Sequence, residues 1–199
     1  MKIMAFNGSP RKGGNTDTLL EAVSLGVSGA DASLDIVRLS ELKMSPCIAC
    51  GGCDKTGKCV VMDDMQALYG RISAADKIII ASPIYFYTLS AQTKIFIDRL
   101  QAMWSRKQLL KAAGRWQPDD NHQGYLLSVA ATSGPRIFEG AALCARYAFD
   151  ALGFTYAGDF LVRGADSRED IKKDSEKLKQ ATDFGRKIAV KVNLILTKD

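Results

Sequence analysis

Short apolar runs recur along the chain and are separated by segments with a helical pattern. Five of these runs are mainly apolar and are followed by Gly or a polar residue, as buried strands are: 2–7, 33–39, 77–81, 124–131 and 155–162. The third run, KIIIA at 77–81, is the most apolar, which is typical of a strand covered on both faces. The pattern predicts five strands.

Apolar residues recur at helical spacing between these strands and after the last one. The predicted helices lie at 16–27, about 65–72, 90–103, 137–152 and from 168 to about 194. Asp63 and Asp64 precede the second helix, where their carboxylates can accept the free N–H groups of its first turn. Strands therefore alternate with helices along the chain.

This alternation predicts an α/β fold with right-handed crossovers and a parallel sheet covered by helices on both faces. Five such strands fit the flavodoxin-like three-layer sandwich, whose strand order is 2-1-3-4-5. No repeat or linker interrupts the pattern, so we predict a single domain over 1–199 with a cysteine-rich insertion at about 45–60. Ligands of such sheets bind beyond the carboxyl ends of the strands, where the loops 8–16, 82–89 and 132–136 begin.

Composition and charge exclude some classes of partner. The chain is 47% hydrophobic and 25% charged, as expected for a soluble globular protein. Its net charge of +5 is modest, and basic residues alternate with acidic ones in the segment 168–198, so we expect no nucleic-acid partner. No apolar run approaches the roughly 20 residues of a membrane span, and the first residues do not resemble a secretory signal. We expect no membrane association and a cytoplasmic location.

The loop after the first strand has the composition of a phosphate site. It reads GSPRKGGNT at 8–16 and offers polar or basic side chains at Ser9, Arg11, Lys12, Asn15 and Thr16. Its glycines free the backbone, and the following helix N-terminus favours an anion. A nucleoside-triphosphate loop would continue from Gly13 with Lys and Ser or Thr, but Gly14 and Asn15 stand there. The loop thus predicts a monophosphate ligand, or else a turn that only caps the helix.

A second segment follows the third strand, with SPIYF at 82–86 and SAQTKIFIDR at 90–99. Together with the 8–16 loop it resembles the NAD(P)H-dependent FMN reductase family, which has the flavodoxin-like fold, over roughly residues 2–100. The resemblance implies that Ser9, Arg11, Asn15 and Thr16 hold the FMN phosphate. It also implies that the isoalloxazine ring is lined by Pro83, Ile84, Tyr85 and Phe86, with a third flavin loop at Thr132, Ser133 and Gly134.

The chemistry of the Pro-aromatic loop agrees with this assignment, because a flavin ring needs apolar or aromatic walls and backbone donors at its polar edge. The alternative is that Tyr85, Phe86 and Tyr87 are core aromatics. Three consecutive aromatic residues cannot all face one core, so at least one should meet a ligand or a partner chain. For Asp98 and Arg99 we expect a helix-packing ion pair or a subunit contact in place of a catalytic role.

Four of the five cysteines form a C-x2-C-x2-C-x5-C motif at Cys47, Cys50, Cys53 and Cys59. This spacing can wrap around a cubane, whereas structural zinc sites use two separated pairs. The motif resembles that of the iron–sulfur flavoproteins, a branch of the same family, which implies a [4Fe–4S] cluster near the carboxyl-end rim. Disulfides or free thiols remain alternatives. Cys144 is expected to be a buried small hydrophobe, and His122 a loop residue.

These features predict an FMN-dependent oxidoreductase that accepts electrons from NAD(P)H or another donor, with the cluster as a one-electron relay. Hydride transfer to a flavin requires no side-chain acid or base, and no catalytic residue is assigned. A non-enzymatic electron carrier is disfavoured by the basic charge, and a redox-sensing cysteine module is the third possibility. The partners expected are a small-molecule or protein electron donor or acceptor. The family resemblance implies a homodimer or homotetramer.

Overall fold

The computed structural model describes residues 1–190 and contains a parallel sheet with helices on both faces. The strands are β1 (Lys2–Asn7), β2 (Ser33–Arg38), β3 (Lys77–Tyr85), β4 (Thr88–Leu89), β5 (Gln123–Val129) and β6 (Thr155–Val162). The helices are α1 (Asn15–Ser28), α2 (Met65–Ser73), α3 (Ala91–Arg99), α4 (Gln101–Ala112), α5 (Glu139–Leu152) and α6 (Ser175–Ile188). Short 3-10 turns lie at Leu39–Glu41 and Ile171–Lys173.

The five parallel strands lie in the order β2-β1-β3-β5-β6. This is the predicted flavodoxin-like arrangement, and the labels differ from 2-1-3-4-5 only because the short β4 intervenes in the chain. β4 was not predicted from the sequence. It pairs antiparallel with the end of β3, Ile84 with Leu89 and Tyr85 with Thr88, so that β3 extends beyond its predicted end at residue 81.

Two predicted helices differ in extent. The helix expected over 90–103 is broken between α3 and α4, where the N–H of Leu100 donates to Ile97, three residues back, and not to residue 96. The helix expected from 168 begins only at Ser175, because Asp174 has non-helical dihedrals and its carboxylate accepts from the N–H of Lys177 at 3.0 Å. Its predicted end at about 194 lies outside the described residues.

The sheet separates two apolar layers. One layer packs α2, α3 and α5 against the sheet and contains the stacked pair Phe6 and Phe96, whose ring centroids are 4.3 Å apart. The other layer lies under α1 and α6, which approach through their backbones. A Cβ on Gly26 would lie 2.0 Å from the carbonyl oxygen of Thr182, and one on Gly185 would lie 2.2 Å from that of Val23. Only glycine permits this contact.

Over residues 1–190, none of the helices combines the length and the apolar character needed to cross a lipid bilayer.

Candidate functional site

The loop between β1 and α1 presents free backbone donors at the carboxyl edge of the sheet. Gly14 is the N-cap of α1 and has no side chain to occupy the first-turn N–H groups. Within residues 1–190, the N–H groups of Asn15 and Thr16 make no hydrogen bond. Gly13 has a φ of 63°, which curls the loop toward the helix. A helix N-terminus with open donors of this kind is suited to an anion.

The buried carboxylate of Asp17 stabilises the conformation of this loop. Asp17 was not among the site residues predicted from the sequence. The carboxylate of Asp17 is buried and accepts from the N–H of Gly13 and from Nδ2 of Asn7, both at 2.6 Å. Arg38 pairs with it at 2.5 Å and compensates its charge. An acidic residue in the first turn of a predicted helix was the only sign of this role in the sequence. The partner Arg38 lies on β2, so the ion pair could not be predicted.

A cavity of about 90 Å³ brings the phosphate loop and the Pro-aromatic loop together. It is lined by Ser9, Arg11, Gly14, Asn15, Thr16, Pro83, Ile84, Tyr85, Val129, Ala131, Ala165 and Asp166. Within the described part of the chain, the hydroxyl of Thr16 makes no hydrogen bond and the guanidinium of Arg11 forms no ion pair, whereas Lys12 pairs with Glu41 at 2.6 Å. Polar groups of the loop are thus available to a ligand.

The side chain of Asn15 serves the fold. Its Nδ2 donates to the carbonyl oxygens of Ala165 and Ser167 at 3.3 and 2.8 Å, and its Oδ1 accepts from the N–H of Ile171 at 3.2 Å. Both amide hydrogens are therefore committed to the loop after β6. The group of Asn15 that is available to a phosphate is therefore its backbone N–H.

The two loops are locked together by buried polar contacts. The hydroxyl of Ser90, the N-cap of α3, donates to the carbonyl oxygen of Gly8 at 2.6 Å, and the N–H of Ser90 donates to Ser82 Oγ at 2.9 Å. A Cβ on Gly8 would lie 1.8 Å from Thr93 Oγ1. The phosphate loop and the start of α3 therefore hold each other in place.

The aromatic loop forms a tight hairpin between β3 and β4. Phe86 and Tyr87 have φ values of 49° and 64°, as a type I′ turn requires, although Asn and Gly usually occupy such positions. Phe86 is fully exposed and Tyr87 is 55% exposed. As expected, the three aromatics do not share one core. Tyr85 lines the 90 Å³ cavity, and Phe86 lies next to it at the tip of the hairpin, outside that lining.

The third predicted flavin loop lies next to this hairpin. A Cβ on Gly134 would be 3.3 Å from the hydroxyl oxygen of Tyr87. A Cβ on Gly164 would be 3.4 Å from Ser133 Oγ. The preceding residue Ala131 lines the cavity, whereas Thr132, Ser133 and Gly134 do not. A flavin contact of these three residues therefore stays a prediction.

The four motif cysteines line a separate cavity of about 430 Å³. All four are free thiols. Positive φ values at Ala49, Gly51 and Gly57 fold the segment back on itself. Within the described part of the chain, no three Cys, His, Asp or Glu side chains are close enough to hold a single metal ion.

The two sites are joined by α3. Ser90 caps its beginning beside the phosphate loop, and Asp98 and Arg99 at its end line the cysteine cavity. Nine helical residues span about 13 Å. The cysteine segment therefore packs against the end of α3 opposite to the end that borders the phosphate loop.

Asp98 and Arg99 form ion pairs within the chain, with different partners. Asp98 pairs with Lys94 at 2.5 Å on the surface of α3, whereas Arg99 is buried and pairs with Asp63 at 2.5 Å. Burial would raise the pKa of Asp63, but hydrogen bonds from Arg99 and from the N–H groups of Ser45 and Met65 hold that pKa below its usual value.

The predicted capping role is confirmed for Asp63, whose Oδ1 accepts from the N–H of Met65 at 3.1 Å. Asp64 instead accepts from the N–H of Lys43 at 2.7 Å, so its carboxylate tethers the preceding loop. Both carboxylates thus serve the fold around the cysteine segment, and only the first serves the helix end as expected.

The remaining two candidates have structural surroundings. Cys144 is half-buried, and burial raises the pKa of its thiol, as expected for a small hydrophobe. His122 stacks on Phe154, with ring centroids 4.7 Å apart, and lies 3.8 Å from Asp119. It is a packed loop residue away from both sites.

Curated relatives with similar sequences are flavoproteins by name. An iron-sulfur flavoprotein of Archaeoglobus fulgidus is 31% identical over 88% of this chain and 76% of its own. The iron-sulfur flavoprotein MJ1083 of Methanocaldococcus jannaschii is 33% identical over 57% of this chain and 59% of its own. For the Bacillus subtilis protein YwqN, a putative NAD(P)H-dependent FMN-containing oxidoreductase, the identity is 37% over 53% of each chain. The chain thus spans only part of these relatives' lengths.

Solved structures and a family model agree on the fold. An NAD(P)H:quinone oxidoreductase from Methanothermobacter marburgensis superposes with a TM-score of 0.68, at 16% identity over 97% of this chain and 99% of its own. The Trp repressor binding protein of Bacillus subtilis superposes with a TM-score of 0.57, at 29% identity over 90% of this chain and 96% of its own. The model of the NADPH-dependent FMN reductase family matches residues 1–162. With its flavodoxin-like sheet and a match over most of its length, the chain belongs to the NADPH-dependent FMN reductase family.

Proposed function

We propose that this protein is an FMN-dependent oxidoreductase whose four clustered cysteines hold a [4Fe–4S] cluster that relays electrons to or from the flavin. The observation that carries the flavin assignment is the 90 Å³ cavity shared by the phosphate loop and the Pro-aromatic loop. The electron donor is a reduced nicotinamide or another small molecule or protein.

The polar end of the cavity fits the FMN phosphate. The backbone N–H groups of Asn15 and Thr16, the Thr16 hydroxyl and the Arg11 guanidinium supply donors there. The Ser9 hydroxyl donates to the carbonyl oxygen of Arg11 at 3.3 Å and would exchange that bond for one to the phosphate. Sites that enclose a whole cofactor measure roughly 300–1,000 Å³, so a 90 Å³ cavity accommodates the phosphate end while the ring lies along Pro83, Ile84 and Tyr85. Asp166 in the same lining would repel a phosphate but can accept hydrogen bonds from ribityl hydroxyls.

FMN, when bound, supplies both hydride acceptance and one-electron transfer. The chain's own residues have the simpler task of binding and orientation. The anion site at the start of α1 fixes one end of the cofactor, and the hairpin of β3 and β4 provides a rigid apolar wall for the other.

The cysteine cavity fits a cluster better than a single ion. Around zinc, bonds of about 2.3 Å bring the sulfurs to within about 3.8 Å of one another, and no group of three such ligands exists within residues 1–190. A cubane places four irons between the thiolates and so holds them farther apart. Four free thiols line one 430 Å³ cavity, so the residues present can supply the four thiolates that a cubane needs. The names of the archaeal relatives support the same assignment.

Steady-state turnover separates an enzyme from the two other candidates. FMN-loaded protein is expected to oxidise NADH or NADPH continuously with a soluble quinone as acceptor, and apoprotein is the control. A rate no higher than that of free FMN at the same concentration would contradict the oxidoreductase assignment and favour an electron carrier. Thiol titration before and after oxidant would reveal a cysteine sensor.

We also propose that the chain self-associates. Large apolar side chains are exposed at the hairpin and on α4 and α5, at Phe86, Tyr87, Trp104, Leu143 and Tyr147. Such exposure is typical of interaction surfaces. Light scattering at micromolar concentration is expected to give a mass at least twice the chain mass of 21.6 kDa. A mass of one chain would contradict the proposal.

A further inference from the structure

Arg99 is a buried cation in the lining of the cysteine cavity, with only 1% of its surface exposed. A buried charge requires a partner, and Asp63 supplies it through Nη1 at 2.5 Å and Nη2 at 3.1 Å. Asp63 does not line the cavity. The ion pair is therefore oriented, with its positive member toward the cysteines and its negative member behind.

The same guanidinium ties the two ends of the cysteine segment together. Nη1 donates to the carbonyl oxygen of Ser45 at 2.8 Å, and Nη2 to that of Val61 at 3.3 Å. Ser45 lies two residues before the first cysteine of the motif, and Val61 lies two residues after the last. The planar fork of arginine makes this possible, because its donors diverge in fixed directions.

One donor of Arg99 is left over. Nε is fully buried and has no hydrogen-bond partner among residues 1–190. A buried N–H without an acceptor costs about 1–3 kcal/mol, so such a group implies a ligand that supplies the acceptor. Sulfurs of a thiolate-bound cluster are acceptors of this kind, and Cys59 lines the same cavity as Arg99.

A second donor reaches the cysteines from α4. The hydroxyl of Ser105, on α4, donates to Cys53 Sγ at 3.6 Å. Four thiolates around a [4Fe–4S] core give a net negative group, and reduction adds a further negative charge. A buried cation and hydrogen-bond donors stabilise the reduced form more than the oxidised form, and so raise the reduction potential.

We propose that Arg99 is a positioning residue for the cluster: it holds the two ends of the cysteine segment, donates Nε–H to a sulfur of the cluster and raises the cluster's reduction potential. This inference rests on the proposed cluster. The guanidinium does not exchange electrons. It sets the geometry and the electrostatic field in which the cluster gains or loses one electron.

The test measures iron content and cluster potential in anaerobically reconstituted protein. Arg99→Gln combined with Asp63→Asn removes the pair without stranding a charge, and is expected to give a more negative potential in protein that still binds iron. Arg99→Lys keeps the positive charge but lacks the planar guanidinium and its Nε–H. Its reduction potential should lie between those of the wild-type protein and the double variant. The control Lys94→Gln removes an exposed cation from the same helix and should leave the potential unchanged.

An unchanged potential in the iron-loaded double variant would show that Arg99 is a structural ion pair only, and would overturn the inference. If the double variant does not fold, a wild-type potential in iron-loaded Arg99→Gln, which removes the charge alone, overturns it equally. Absence of iron and labile sulfide from the wild-type protein is a different result: it would remove the proposed cluster itself. FMN binding, measured in the same samples, reports on the flavin assignment independently.

Discussion

Replacing Cys47, Cys50, Cys53 or Cys59 with serine is expected to lower the iron content of anaerobically purified protein from about four per chain to well below one. Each cysteine supplies one thiolate to a four-ligand cluster, and a serine hydroxyl is a poor substitute for a soft sulfur ligand. The four thiols line one cavity, so losing any of them should have a similar effect. Iron and labile sulfide analysis, together with the broad visible absorption beneath the flavin bands, measures the result.

Cys144→Ser is the matched control, because Cys144 lies on α5 and does not line the cysteine cavity. It should retain full iron content. Wild-type protein that binds FMN but contains neither iron nor sulfide would contradict the cluster assignment. The flavin assignment would survive, because it depends on the 8–16 and 82–89 loops, which line a different cavity.

FMN is expected to bind roughly a hundredfold or more tightly than riboflavin, which lacks the phosphate. Two charge-assisted hydrogen bonds of about 1.5 kcal/mol each account for a difference of this size. The open N–H groups at the start of α1 and the Arg11 guanidinium are the donors concerned. Arg11→Ala should weaken FMN by about 1–3 kcal/mol, or 5- to 150-fold, while riboflavin affinity stays the same. Fluorescence titration of apoprotein with each flavin measures both.

Lys12→Ala is the control for Arg11→Ala, because it removes an adjacent positive charge that is already paired with Glu41 and does not line the cavity. Its effect on FMN should be smaller than that of Arg11→Ala. Equal affinities of the wild-type protein for FMN and riboflavin would contradict the proposal that the 8–16 loop binds the FMN phosphate. Equal losses in the two variants would mean that general positive charge, and not a bond from Arg11, attracts the cofactor.

Helix and strand positions were largely readable from local patterning. β1 and β6 have the predicted bounds, and α1 differs from its prediction by one residue at each end. These elements bury most of an apolar face, and their periodicity is strong because one side must avoid water. The unpredicted break at Leu100 leaves no such signal, since apolar residues continue at helical spacing across it.

The type of each loop could also be read from local sequence, but the role of its side chains could not. The side chain of Asn15 holds the loop at Ala165 and Ser167, some 150 residues further along the chain, and this contact could not be foreseen. Arg99 was expected to be in a packing ion pair, which is correct, but its position beneath the cysteines could not be foreseen.

The difference has a physical cause. Hydrophobic periodicity, glycine spacing and the cysteine motif are properties of neighbouring residues, so the linear sequence was sufficient for the fold class, the family resemblance and the two candidate sites. A polar side chain takes the partner that folding brings within about 3 Å, and for Asn15, Asp17 and Arg99 that partner comes from a distant segment. Only the packed tertiary structure decides which donors are used by the fold and which remain for a ligand.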